Sequence, residues 1–162
     1  MNKLITFGDS WMKGVGVEYQ DGMTEDQYFD VKSKESQNCF RNLLSTRLNL
    51  QNINHSSGGS SNQRQFRKAL DTFFGGDSIK TDNGDIVLWG ITSVYRTELW
   101  NTKNQDFECI QLQGSGGSIS KILTMNHHDE KQELKILGHQ MQLWNAYFKS
   151  INVRNFWFNI FF

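Results

Sequence analysis

Proline is absent from this 162-residue chain, and cysteine occurs only at Cys39 and Cys109. Without proline, no cis-proline turn and no slow prolyl isomerisation enter the folding of the chain. A lone pair of cysteines so far apart in sequence supports neither a disulfide framework nor the ligand spacing of a zinc site. An excess of charge of one sign is also missing, since 17 Lys and Arg balance 17 Asp and Glu. A neutral chain has no overall field to draw it to nucleic acid or to an anionic membrane, and neither is expected as a partner. Long apolar runs are lacking too. The segment Met1 to Phe7 is broken at once by Gly8 and Asp9, so neither a signal peptide nor a membrane span is predicted. A cytoplasmic location is expected, or the host cytoplasm or virion for a gene of viral origin. What remains is enough for a core: 37% of residues are hydrophobic and 13% aromatic, which predicts a single domain over 1–162.

The hydrophobic pattern alternates between strand-like and helix-like segments. Leu4-Ile5-Thr6-Phe7 reads as a buried strand, Leu50 to Asn54 as a weaker one, and Ile86-Val87-Leu88-Trp89 as a third, buried on both faces. Residues 18–35 are polar and non-periodic, a surface loop or short helix. Phe40, Leu43, Leu44 and Leu48 recur at helical spacing over about 36–48. Phe66, Ala69, Leu70, Phe73 and Phe74 share a face of the next helix, which Ser60 or Ser61 caps and Gly75-Gly76 stops. Leu99 and Trp100 are read as the end of a short helix, Glu108 to Leu112 as a hairpin arm and Gly114 to Gly117 as a flexible loop. Leu134, Leu137, Met141, Trp144, Phe148 and Ile151 predict a long amphipathic helix over roughly 129–151, with Asp129 and Glu130 at its positive end. Asn155 to Phe162 reads as a further interior strand. Apolar strands alternating with helices predict an α/β three-layer sandwich with a mainly parallel, flavodoxin-like sheet. Sites in such sheets lie at the carboxyl ends of the strands. Gly8-Asp9-Ser10, Gly59 and Gly90 each follow a predicted strand, so three loops are expected to converge on one crevice.

The first of these loops carries the chemistry. A serine at the end of a buried strand, on a glycine-relieved turn, is well placed for nucleophilic attack, and its backbone N–H can join an oxyanion hole. Phe7-Gly8-Asp9-Ser10-Trp11, followed by Gly14 and Gly16, resembles the opening block of the SGNH/GDSL hydrolases. The second loop, Ser57-Gly58-Gly59-Ser60-Ser61-Asn62-Gln63-Arg64, resembles phage-type branches of that family, which place a glycine oxyanion donor after strand two. Gly59 is the candidate, with Gly58 the alternative register. The third, Trp89-Gly90-Ile91-Thr92-Ser93 with Arg96 nearby, stands where the family has Gly-x-Asn-Asp, so Thr92 replaces the asparagine donor. The resemblance implies a serine esterase or acyl hydrolase forming an acyl-enzyme on Ser10, needing no cofactor and no metal, with a small-molecule, glycan or lipid ester as substrate. Gly59 and Thr92 are the implied oxyanion donors. Asp9, Asn62, Arg64 and Arg96 are the expected substrate-binding residues. Trp11, Tyr19 and Trp100 are candidates for an apolar or sugar-stacking surface.

One block departs from the family pattern. The catalytic Asp-x-x-His does not occur in this chain, whose histidines are His55, His127, His128 and His139. His55, at the mouth of the strand-two loop, is the candidate base. His127-His128-Asp129 is too small a set for a metal site. Gly114-Ser115-Gly116-Gly117 lacks the Gly-Lys-Ser/Thr ending of a phosphate loop. A flavodoxin-like nucleotide site is disfavoured because the first loop offers only Asp9 and Ser10 as phosphate partners. Because Phe156 to Phe162 reads as a strand needing cover, three expectations stand: truncation after the fourth core strand, a complementing chain, or a homo-oligomer. The same departure leaves a non-catalytic, binding or virion-associated protein as the alternative.

Overall fold

The computed structural model describes residues 1–15, 17–33, 37–112, 122–124 and 128–159, with the backbone alone for Phe29 and Val31 to Ser33. Strand β1 (Lys3–Phe7) leads directly into the short helix α1 (Ser10–Lys13). Polar α2 (Glu25–Ser33) and α3 (Phe40–Leu48) follow, then β2 (Gln51–Asn54) and α4 (Asn62–Phe74). Strand β3 (Ile86–Ile91) precedes a hairpin of β4 (Arg96–Asn101) and β5 (Asp106–Gln111). The long helix α5 (Glu130–Ser150) returns the chain to β6 (Arg154–Asn159).

The main sheet has the order β2-β1-β3-β6, and every pairing in it is parallel. The register sets Ile5 beside Ile53 and Val87, and Leu88 beside Phe156. β3 is apolar throughout because it lies inside the sheet with side chains packed on both faces, the usual condition of a parallel strand. On one face Ile5, Phe7, Val87, Trp89 and Ile91 pack against Phe66, Ala69 and Phe73 of α4 and Trp144 and Phe148 of α5. On the other, Leu4, Ile86 and Leu88 meet Met12 of α1 and Leu44 of α3. The chain is therefore a mixed α/β fold with a parallel sheet, and the carboxyl ends of β1, β2 and β3 bring the three anticipated loops to one edge.

Several elements depart from their sequence reading, each for a physical reason. Leu99 and Trp100 lie in β4, not in a helix; β4 pairs antiparallel with β5, Arg96 opposite Gln111 and Asn101 opposite Asp106. The turn between them is built by Asn101, whose Oδ1 accepts from the N–H groups of Lys103 and Asn104, and by Gln105 at φ 52°. The hairpin is fastened to α4 by Arg67, which donates to both carboxylate oxygens of Glu98 (2.8 and 3.2 Å) and stacks over the Phe107 ring. On α4, Leu70 and Phe74 are exposed, while Gln65 and Thr72 take the buried stripe with Phe66, Ala69 and Phe73. Inside the core Gln65 Nε2 bonds the Gly90 carbonyl (3.0 Å) and Thr72 the Lys68 carbonyl (2.7 Å), while Gln65 Oε1 is buried without a partner among the described residues. Along α5, Trp144 and Phe148 are buried, whereas Leu134 and Ile151 at the ends of the stripe are exposed. Among the described residues β6 stands at the edge of the sheet, where an interior strand was expected, and Phe156 is half-exposed on it. The Gly114–Gly117 loop, His127 and residues 160–162 lie outside the described residues.

Candidate functional site

Asp9 organises the first loop. It is the N-cap of α1, where its Oδ1 accepts the Trp11 N–H at 2.9 Å. Its Oδ2 accepts from Arg96 Nη1 at 3.0 Å and from the Thr92 hydroxyl at 3.3 Å, and Arg96 Nη1 also donates to Thr92 Oγ1 at 3.1 Å. The carboxylate is fully buried, so its charge needs these donors. Ser10 follows as the first residue of α1. The far end of that helix is held as firmly: buried Arg41 donates to the carbonyls of Met12 (3.1 Å) and Lys13 (3.3 Å). Gly14 closes it at φ 84°, where a side chain would collide with the Cβ of Cys39.

The second loop is tied to the first through its backbone, His55 N–H to the Thr6 carbonyl at 2.8 Å and Ser57 N–H to the Gly8 carbonyl at 3.0 Å. Gly59 has φ 69°, a left-handed conformation that favours glycine. Ser61 caps α4 by accepting the Arg64 N–H at 3.1 Å. Ser10, Trp11, Lys13, Tyr19, Gly58 and Gly59 are among the residues lining a cleft of about 830 Å³ at this edge of the sheet.

The third loop is held from beneath. Asn62 spends its side-chain amide on the Thr92 backbone, donating to the carbonyl at 2.8 Å and accepting the N–H at 2.9 Å. Four residues anticipated as substrate-facing or oxyanion-stabilising, Asp9, Asn62, Thr92 and Arg96, do meet in space. They meet as a buried polar strut under the Ser10 turn: the Thr92 hydroxyl donates to Asp9 and Arg96 bonds Asp9 and Thr92. Arg64 lies on the first turn of α4, with its backbone N–H in the cap and its Nε buried without a partner among the described residues.

The described histidines have partners other than Ser10 or stand in solvent. His55 stacks on Phe7 (ring centroids 5.2 Å) with its Nε2 at 3.5 Å from the Thr72 hydroxyl. Burial, aided by nearby Lys68, pulls its pKa below the ordinary imidazole value and favours the neutral ring. His128 packs against the Tyr95 ring, and His139 is exposed on α5. Among the described residues no histidine hydrogen-bonds Ser10, and no group of three His, Cys, Asp or Glu side chains converges as metal ligands would. No helix among them is long and apolar enough to cross a membrane.

A second cavity of about 420 Å³ opens between the ends of β3 and β6 and the first turns of α5, lined by Thr92, Tyr95, Leu134, Met141 and Trp157 among others. The polar strut and Tyr28, which packs edge-on to Tyr19 at 5.7 Å, were not legible as such in the sequence. The strut residues carried a signal in their blocks, but which partner each would bond is a matter of tertiary contact. Set against family models, curated proteins and solved structures, the chain matches none of them.

Proposed function

We propose that this chain is an SGNH/GDSL-type serine ester hydrolase domain, with a flavodoxin-like three-layer sandwich and Ser10 as nucleophile. The observation that carries the reading is the cleft at the carboxyl edge of the parallel sheet, which Ser10 shares with Gly58 and Gly59. In this reading the Ser10 oxygen adds to an ester carbonyl as its proton passes to a base outside the described residues or to water. The alcohol leaves with a proton, and water then releases the acid from the acyl-enzyme. The backbone N–H groups of Ser10 and Gly59 are the oxyanion donors. Thr92 and Arg96 act through Asp9, as positioning residues that hold the turn carrying Ser10. A fluorophosphonate probe tests the assignment. Labelling of the purified protein that disappears in Ser10→Ala supports it; no labelling, or labelling that survives the substitution, overturns it.

A second reading, a non-catalytic binding or virion-associated protein, is favoured by the tethering of His55 at Phe7 and Thr72 and by the use of Thr92 and Arg96 within the strut. It predicts no turnover of short aryl esters above the Ser10→Ala background.

A further inference from the structure

We infer that the cleft beside Ser10 is a sugar-binding trough, which makes an acylated glycan the ligand class of this site. As a substrate assignment this rests on the hydrolase reading; as a binding site it does not. Large aromatic side chains left in water on a folded domain call for a reason, and two of them stand on this one cleft. Trp11 is 67% exposed and Tyr19 is 51% exposed. Tyr28 packs edge-on against Tyr19, with rings at 85°, and lines the same cleft. The other exposed tryptophan, Trp100, packs on Phe107 in the hairpin and does not line the cleft, so among the described residues Trp11 is the exposed tryptophan beside Ser10.

The chemistry of that surface selects among ester substrates. A pyranose ring has apolar C–H faces and a polar rim of hydroxyls. An open aromatic plane flanked by a hydroxyl, backbone N–H groups and a cation matches both at once. Ser10, Gly58, Gly59 and Lys13 supply the polar flank. A long acyl chain, in contrast, asks for an enclosed apolar slot that removes it from water. Val15 and Val17 also line the cleft, but it stays open to solvent, with Trp11 and Tyr19 each more than half exposed, and does not enclose a chain.

The test uses the full chain carrying Ser10→Ala, titrated calorimetrically with partially O-acetylated and saponified xylo-, chito- and uronate-containing oligosaccharides. At least one of these is expected to bind, with affinity lowered tenfold or more by Trp11→Ala, lowered severalfold by Tyr19→Ala and unchanged by Trp100→Phe. Thermal melts of each variant check folding, and Trp11→Phe, which keeps an aromatic plane, is expected to retain part of the affinity. Absence of binding across the panel overturns the inference, as does binding indifferent to Trp11→Ala, or preferential binding of a lauroyl ester over an acetyl sugar. Glycan binding without fluorophosphonate labelling sinks the hydrolase reading and leaves the trough standing. Labelling without glycan binding does the reverse.

Discussion

Asp9 sits directly before Ser10, fully buried, and bonds the guanidinium of Arg96, the hydroxyl of Thr92 and the N–H of Trp11. Removing its charge takes from Arg96 the carboxylate partner that lies 3.0 Å from its Nη1. Breaking a buried pair from one side costs roughly 3–5 kcal/mol, and because Arg96 keeps some solvent contact, Asp9→Asn is expected near the lower end, about 3 kcal/mol. Urea unfolding of Asp9→Asn, Arg96→Met and the double variant measures this. The double variant is expected to be more stable than Asp9→Asn alone; strict additivity would show that the pair is not coupled. His55 gives a second prediction at this scale. Its folded pKa lies below the unfolded value because burial, then Lys68, disfavours the charged ring. The unfolded chain thus binds the proton more readily, and the group's contribution is whole above about pH 6.5 and lost as pH falls below that value. Melting temperature is expected to drop from pH 7 to pH 5, and His55→Gln to flatten that drop.

At the scale of elements, α4 separates what periodicity predicts from what packing selects. Phe73 and Leu70 both lie on the predicted apolar face, yet Phe73 touches Phe7, Trp144 and Phe148 while Leu70 is 53% exposed. Phe73→Ala is expected to cost roughly 3–5 kcal/mol through the cavity it leaves, and Leu70→Ala less than about 1 kcal/mol, both read from denaturant midpoints. The hairpin depends on a different kind of contact. Its docking on α4 runs through Arg67, between Glu98 and Phe107, and through Gln63 Oε1, which accepts from the Thr97 hydroxyl and the Glu98 N–H. Arg67→Met is expected to raise amide exchange across β4 and β5 while leaving β1 and β3 protected; uniform exchange would indicate global destabilisation. The helix reading failed at Leu99-Trp100 because two apolar neighbours carry no period, and the strand is defined by its partner β5 and the Asn101 turn.

For the whole molecule, the exposed point is the edge of the sheet. β6 pairs with β3 on one side and, among the described residues, with no strand on the other. Phe156 stands half-exposed there, and an unpaired apolar edge promotes association. Phe156→Lys is expected to reduce concentration-dependent association in sedimentation velocity without lowering the melting temperature. Association unchanged by the substitution would place the contact elsewhere.

The mixed α/β character, all four of the sheet's strands, the long helix α5 and the turn at Gly8-Asp9-Ser10 were legible in the sequence. Each is written in local spacing: an apolar run, a 3-4 repeat, a glycine after a strand. The tertiary structure decided the rest. Leu4 and Ile5, neighbours on one strand, point to opposite faces by the strand's own alternation, but only the packing of helices on each face decided which core each joined. Asp9, Asn62, Thr92 and Arg96 looked like site residues because they flank glycine turns. Their actual bonds depend on which carbonyls and charges the fold brings within reach, and those lie up to 87 residues away. Gln65 was hidden for the same reason, since the Gly90 carbonyl that its Nε2 bonds is brought to it only by the fold. The turn that bears Ser10 was thus apparent from its own residues, whereas the strut that holds it was set by the packing of the loop after β3 beneath α1.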